Sequence, residues 1–346
     1  MSLQQAFEDQ AVSCERLDSP FMGQLLRILA KVWQHDTQLG QAMAAYSGDI
    51  GPVGHSLPLR IAGGLHALVL SGQSEALRLA YPPHDVDYPT LSTAVASALK
   101  QHEAFLLDWT KSPPQTNEVR RSAALIAGAQ VALSYFQRPI ILSELGASGG
   151  LNLMWDRFAL DIGGRRFGVN NAALVLSPDW DGPLPPPATI ETTERAGVDL
   201  NPLNPNNPDD LLRLKAYLWA DQPHRLALTQ AAAATLDTVV EQGDAIDWLE
   251  QRLAQPKVGH LHLIQNTVAW QYFPKAAQAK GLHLTEAPGE LATPDHPLAW
   301  LSMENDSDAT GGVGAAITLR IWPGNVTLQL GRVDFHGRWV QWTYQS

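Results

Sequence analysis

The sequence predicts an α/β protein, with a helical N-terminal cap region over residues 1–112 and a domain over residues 113–346 built on a mostly parallel sheet. Three observations lead there. Up to about Leu107 apolar residues recur at three- and four-residue spacing, the period of amphipathic helices. From Pro139 onward, short apolar runs of strand length alternate with helical segments, as a parallel sheet with crossover helices requires. The first of those runs ends in a glycine-rich turn, where open α/β sheets place a ligand loop.

The helical third comprises "FMGQLLRILAKVWQH", "LRIAGGLHALVLSG" and "LSTAVASALKQHEAFLLDW". Its connections "YSGDIGPVGHSLP" and "YPPHDVDYP" are rich in Gly, Pro and Asp and turn the chain. Pro113 and Pro114 stop it, and Thr116 or Asn117 is placed to cap a helix running to about Phe136. "PIILSELGA" then reads as a strand buried on both faces, and "GLNLMWDRF" as a helix opening at its glycines. Residues 161–188 hold too much Gly and Pro for a helix and read as an inserted hairpin and loop. "TIETTERAGVDLNP" ends the second strand and "DTVVEQGDA" is the third, with the helical "PDDLLRLKAYLWADQPHRLALTQAAAATL" between them. The helix "AIDWLEQRLA", strand "VGHLHLIQN", helix "FPKAAQAKGL" and strand "PLAWLSMEN" follow in turn. "GAAITLRIWPGNVTLQLGRVDF" closes the chain as a hairpin around Pro323-Gly324-Asn325.

Composition excludes several function classes. A net charge of -11 gives no footprint for nucleic acid, which would need clustered Lys and Arg. Cys14 is the single cysteine, so no intrachain disulfide forms, and "MSLQQAFEDQ" lacks the basic and apolar regions of a signal peptide. No apolar run reaches the ~20 residues of a membrane helix. The expectation is a cytoplasmic protein without membrane or nucleic-acid partners. His, Asp and Glu show no tight ligand spacing, so no metal is expected.

The stretch "ILSELGASGGLNL" fits two chemistries. Read as Gly146-x-Ser148-x-Gly150 it is a hydrolase nucleophile elbow, with Ser148 attacking and Glu304 and His336 following in the right chain order. An elbow normally follows several strands of its own sheet, whereas everything before Pro139 reads helical. Read from Glu144, the same residues form a cofactor loop: glycines remove Cβ atoms where chain and ligand touch, and the following helix is expected to present free N–H groups.

These residues resemble the class I methyltransferases that use S-adenosylmethionine (SAM), over roughly Gln115 to Asp334. The resemblance implies a Rossmann-like, seven-stranded sheet. "ILSELGASGGL" is similar to the first motif of that group, assigning Glu144, Gly146, Ser148 and Gly150 to the cofactor's methionine end. "AGVDLNPLNP" resembles the second, with Asp199 accepting both ribose hydroxyls, and "EQGDAIDWL" the third, with Asp244 and Ala245 at the adenine. Asn266, after the fourth strand in "LIQNTVAWQYF", stands where such enzymes place cofactor- and substrate-facing residues. More narrowly, "TNEVRRSAAL", "ELGASGGLNLMWDRF", "LRLKAYLWADQPHRL" and "FHGRWVQW" resemble a bacterial family of unknown function with that fold and no assigned reaction. Ser148 stands where glycine is frequent, and the Asn-Pro-Pro-Tyr signature of amine methylation is absent, since Thr267, Val268 and Ala269 follow Asn266.

Each assignment has a structural alternative. Glu144 caps a helix; Asp199 starts the Asn-Pro turn; Asp244 is the N-cap of the helix behind it. Asp161 in "FALDIGG" competes for the ribose, although "DIGG" reads as a hairpin turn. For catalysis the candidates are Asn266, Trp270, Tyr272 and Glu304, with Gln271 beside them; the aromatics double as packing residues in a chain of eleven tryptophans. Arg121 and Arg225 are candidates for holding an anionic substrate. The expected function is SAM-dependent methyl transfer to a small molecule, with a helical region shaping the pocket. The alternatives are a SAM- or nucleotide-binding protein without chemistry and a serine esterase acting through Ser148.

Overall fold

The computed structural model describes residues 1–51 and 54–345; Pro52 and Val53 of the first predicted connection, and Ser346, lie outside the described residues. The chain divides into two compact units: Met1–Thr116 with Asn206–Ala227, and Asn117–Pro205 with Leu228–Ser346. Among the described residues no helix is long and apolar enough to cross a membrane.

The first unit is helical: α1 (Leu3–Arg16), α2 (Pro20–Val32), α3 (Gln38–Ala44), α4 (Leu57–Leu70), α5 (Glu75–Ala80), α6 (Tyr88–Gln101) and α7 (Glu103–Trp109). α8 (Ser122–Tyr135) belongs to the second unit, α9 (Pro208–Ala216) returns to the first, and α10 (Pro223–Ala233) spans the boundary in sequence. α4 is buried nearly all round, and Gly63 and Gly64 let the Tyr217 ring and the side chains of Leu106 and Trp109 lie against its backbone. Residues 206–227 are tied in by polar contacts as well. The Asp221 carboxylate accepts from Ser19 Oγ (2.6 Å) and Phe21 N (3.1 Å), supplying the first turn of α2 with the acceptor that Ser19, its own N-cap residue, does not provide. Gln222 donates to the carbonyls of Leu17 and Asp18. His66 meets the Ala216 carbonyl at 3.1 Å, and burial lowers its pKa to about 4, so it stays neutral.

The second unit is built on β1 (Ile140–Leu145), β2 (Ala159–Ile162), β3 (Arg165–Gly168), β4 (Val175–Leu176), β5 (Asp179–Asp181), β6 (Thr192–Asp199), β7 (Glu241–Gln242), β8 (Leu261–Thr267), β9 (Leu298–Glu304), β10 (Ala315–Trp322), β11 (Val326–Val333) and β12 (Trp339–Trp342), with α11 (Ala245–Leu253) and α12 (Lys275–Leu291). Its main sheet runs β5-β12-β11-β10-β9-β8-β1-β6-β7. β7, β6, β1, β8 and β9 are parallel, and β10, β11 and β12 continue as an antiparallel meander. Nine strands replace the expected seven. β12 and β5 account for the difference: each has only three or four residues, and β5 pairs with β12 from about 160 positions away. The hairpin turn at 323–325 forms as read, joining β10 to β11. The inserted stretch supplies β3, β4 and β5 rather than a single hairpin and loop; β2, β3 and β4 make a separate three-stranded sheet.

Chain order within the parallel part sets the position of any ligand. From β1 the chain adds β6 and then β7 on one side, and afterwards β8 and β9 on the other. β1 and β8 therefore flank a topological switch point, where loops diverge and leave a crevice at the carboxyl ends. α8 covers one face. Its residues from Ser122 to Leu133 are all buried, and Gly128 admits the Leu301 side chain where a Cβ would stand within 2.5 Å of it. Each fully buried Leu or Ile there contributes about 1.5–3 kcal/mol. The opposite face carries Trp248 and Leu249 of α11 packed with Ile264, Leu298 and Trp300.

Candidate functional site at the carboxyl ends of β1, β6 and β8

β1 leads directly into the loop 146–150, and the backbone there bends as the sequence predicts. Gly146 and Gly150 have φ of 69° and 73°, and Ser148 adopts φ 53°, a left-handed conformation that a non-glycine residue holds only when its surroundings enforce it. Asp199, the last residue of β6, is part of that enforcement. Its Oδ2 accepts from Ser148 N at 2.9 Å, and its Oδ1 accepts from Asn201 N at 2.9 Å. Asp199 thus starts the turn after β6 and clamps the loop after β1. Asp161 stands elsewhere, accepting from Gly164 N in the β2–β3 hairpin turn.

The N–H groups of the loop are committed to the protein. Gly146 and Ala147 donate to Val198 O, Gly150 donates to Ala147 O, and Leu151 donates at 2.7 Å to Asn117 Oδ1. The segment Leu151–Arg157 is a 3-10 helix rather than an α-helix, and Asn117, expected to cap α8, caps this segment instead. Few donors remain to cradle an anion. The free N–H groups expected at the helix start are replaced by a loop tied to its neighbours.

Glu144 is the penultimate residue of β1 and only 1% exposed. In register it faces Gln265 on β8 and Gly197 on β6. The Gln265 side chain is hydrogen-bonded to the carboxyl, while Glu144 Oε2 is buried without a hydrogen-bond partner. Burial raises its pKa to about 8; the Gln265 bond opposes the rise, the charge of Asp199 adds to it, and Arg121 opposes it. At neutral pH Glu144 is therefore mostly a neutral acid. Gln265 is fixed in turn by Trp155 Nε1 (2.8 Å) and donates to Asn152 O (3.3 Å). Arg121, 7% exposed, donates to Thr267 O and Phe335 O. Sequence reasoning named Arg121 but missed Gln265, Asn152 and the actual role of Asn117. The register of β1 against β8 was the signal: it makes Gln265, not Asn266, the neighbour of Glu144 on that face.

Asn266, Trp270 and Glu304 come together on the other face. Asn266 Nδ2 donates to Ser302 Oγ (2.9 Å) and Glu304 Oε1 (2.7 Å), while Asn266 Oδ1 accepts from Trp300 Nε1 (2.6 Å). Glu304 Oε1 also accepts from the N–H groups of Ala269 (2.9 Å) and Trp270 (3.0 Å), and Oε2 from that of Gln271 (3.1 Å). Burial raises the pKa of Glu304 against these four donors. The Trp270 ring meets Trp300 edge-on at 4.9 Å and packs against Gly281. Tyr272 lies apart, 59% exposed. Asp244 caps α11, its Oδ1 accepting from Ile246 and Asp247, with Ala245 as the first helical residue. Arg225 bonds Gln222 inside the helical unit.

The hydrolase alternative meets an obstacle in the strand order. His336 follows β11, which β10, β9 and β8 separate from β1, about 19 Å at ordinary strand spacing. A serine and a histidine do meet elsewhere, Ser143 Oγ lying 2.9 Å from His262 Nε2, but both are buried in mid-sheet and Arg252 donates to the same hydroxyl.

Residues 4–342 match the model of a family described as an uncharacterised protein conserved in bacteria (DUF2332). The chain belongs to this family. A search of curated proteins and of solved structures finds no match. Family membership spans both units and agrees with the narrower resemblance read from "TNEVRRSAAL" and "ELGASGGLNLMWDRF".

Proposed function

We propose that the protein binds SAM at the carboxyl ends of β1, β6 and β7 and transfers its methyl group to a small molecule. The observation that carries this reading is the Asp199 clamp at the switch point: a strand-end carboxylate beside a left-handed, glycine-flanked loop. Each Asp199 oxygen accepts one backbone N–H and keeps a second lone pair, the complement a ribose diol needs. Asp244 Oδ1 takes both cap bonds, which leaves Oδ2 for an exocyclic amine such as that of adenine. The orphaned Glu144 oxygen fits the donor groups of the methionine end. Gly146, Ser148 and Gly150 would keep the loop small at the point of approach. When bound, SAM supplies an already activated methyl group, so the protein's contribution is positioning and exclusion of water.

A second reading, a SAM- or nucleotide-binding protein without chemistry, is favoured by one observation. Asn266 and Glu304, the polar candidates for catalysis, have their bonding committed to each other, to Trp300 and to the backbone of 269–271. Isothermal titration with SAM and S-adenosylhomocysteine tests the shared step, with an expected affinity in the micromolar range, about -8 kcal/mol. No heat and no thermal stabilisation at millimolar ligand would remove both readings. Methyl transfer from labelled SAM to a metabolite extract then separates them.

A further inference from the structure

The cofactor site is rich in acceptors and poor in donors. In the loop after β1 the N–H groups of Gly146, Ala147, Ser148, Gly150 and Leu151 all have protein acceptors. Facing them are two carboxyl groups on one face of the sheet, Asp199 and Glu144, and Glu144 Oε2 is buried with nothing bonded to it. A buried, ionised carboxylate oxygen without a partner is costly; a carboxyl in that position holds a proton until a donor or a cation arrives. The surroundings favour that state. Of the elements packed round Glu144, β8 presents neutral Gln265, β6 presents the like charge of Asp199, and the turn before α8 brings Arg121, whose guanidinium is bonded to two carbonyls. Burial outweighs Arg121, consistent with a pKa of about 8.

We infer that Glu144 is the specificity-determining residue of this site: it selects a ligand bearing a cationic amino or sulfonium group, and that group displaces the proton held on the Glu144 carboxyl. The inference rests on the SAM reading and adds to it a charge requirement and a proton count. The carboxyl O–H bond breaks, the proton passes to solvent, and the carboxylate accepts the cation; nothing is oxidised or reduced. Neutral and anionic ligands, which cannot replace the proton, bind poorly.

The test is calorimetric titration of the full chain with SAM in buffers of different ionisation enthalpy at neutral pH. Wild type is expected to release close to one proton per SAM bound, and Glu144→Gln none. The SAM affinity of wild type relative to Glu144→Gln should rise about fiftyfold from about pH 6 to about pH 8 and then level off. Gln reproduces the shape and neutrality of the protonated acid, and thermal melts at about pH 5 should show the variant folded as stably as wild type. The wild-type proton count decides the matter even if it is not. SAM bound without proton release, or with proton uptake, overturns the selection by Glu144 and leaves the cofactor reading standing. SAM failing to bind at any pH overturns both.

Discussion

Glu144 and Glu304 sit at the carboxyl ends of strands in one sheet, Glu144 buried and Glu304 part-buried, and face opposite sides of it. Glu304 accepts four hydrogen bonds, three of them from consecutive backbone N–H groups, and so holds the chain that leaves β8 through the left-handed Val268. Glu144 has one side-chain partner and an oxygen with none. The difference sets an acid whose bonding the protein completes beside one whose bonding it leaves open. A saturated carboxylate has its folded-state role written in its contacts, whereas the role of an unsaturated one rests, for Glu144, on the proposal above.

The largest expected effect comes from breaking the saturated side. Glu304→Ala leaves the buried Asn266 amide and three part-buried backbone N–H groups without their acceptor and should cost about 2–4 kcal/mol of stability. It would appear as a lower urea midpoint at unchanged slope; a mild loss would mean the 268–272 loop is held by the packing of Trp270 instead. The pH dependence of stability tests the unsaturated side without any ligand. Because the folded-state pKa of Glu144, about 8, lies above its unfolded value near 4.5, its contribution is fully present below the unfolded value and is lost as pH rises to about 8. Wild type should therefore lose several kcal/mol relative to Glu144→Gln across that window, and parallel melting curves would place an ionised Glu144 in the folded protein.

Asp199→Ala should weaken SAM binding by about 1.5–3 kcal/mol, whereas Asp161→Ala should leave it unchanged, since Asp161 serves only its hairpin turn. The reverse order would move the ribose to the small sheet. Asp244→Ala removes the N-cap of α11 and should cost about 1 kcal/mol of stability, checked by thermal melting. The smallest change is expected from Ser148→Gly. Relief of the left-handed backbone and the greater freedom of glycine in the unfolded chain roughly cancel, to within about 0.5 kcal/mol. SAM binding should persist, and a fluorophosphonate probe should label neither form; stoichiometric labelling of wild type alone would restore the esterase.

Much of the sheet was legible because apolar runs end at turn residues: "PIILSELGA", "GVDLNP" and "PLAWLSMEN" each stop where the strand stops. β5 and β12 were not legible, since strands this short carry too little pattern and their pairing is set by tertiary structure. In the candidate site, Glu144, Ser148 and Asp199 were named from the methyltransferase-like motifs, and the structure brings Asp199 against the loop that holds Ser148 and near Glu144. Gln265 was missed because the choice between it and Asn266 depends on which side of β8 faces Glu144, a parity that strand pairing fixes and a single strand does not reveal. Asn117 was read as a local cap, yet its acceptor serves Leu151, 34 residues later.

The return of residues 206–227 to the helical unit has a consequence for the order in which the chain can be finished during synthesis. α2 lacks the carboxylate for its first turn until Asp221 has been made, and the core around α4 lacks Tyr217. Residues 1–116 leave the ribosome with those places empty, and β1 and β6 are made before Tyr217 and Asp221 can fill them. The nascent helices must therefore wait through the synthesis of about two fifths of the second unit before their own unit closes, and no single cut in the gene yields both units whole.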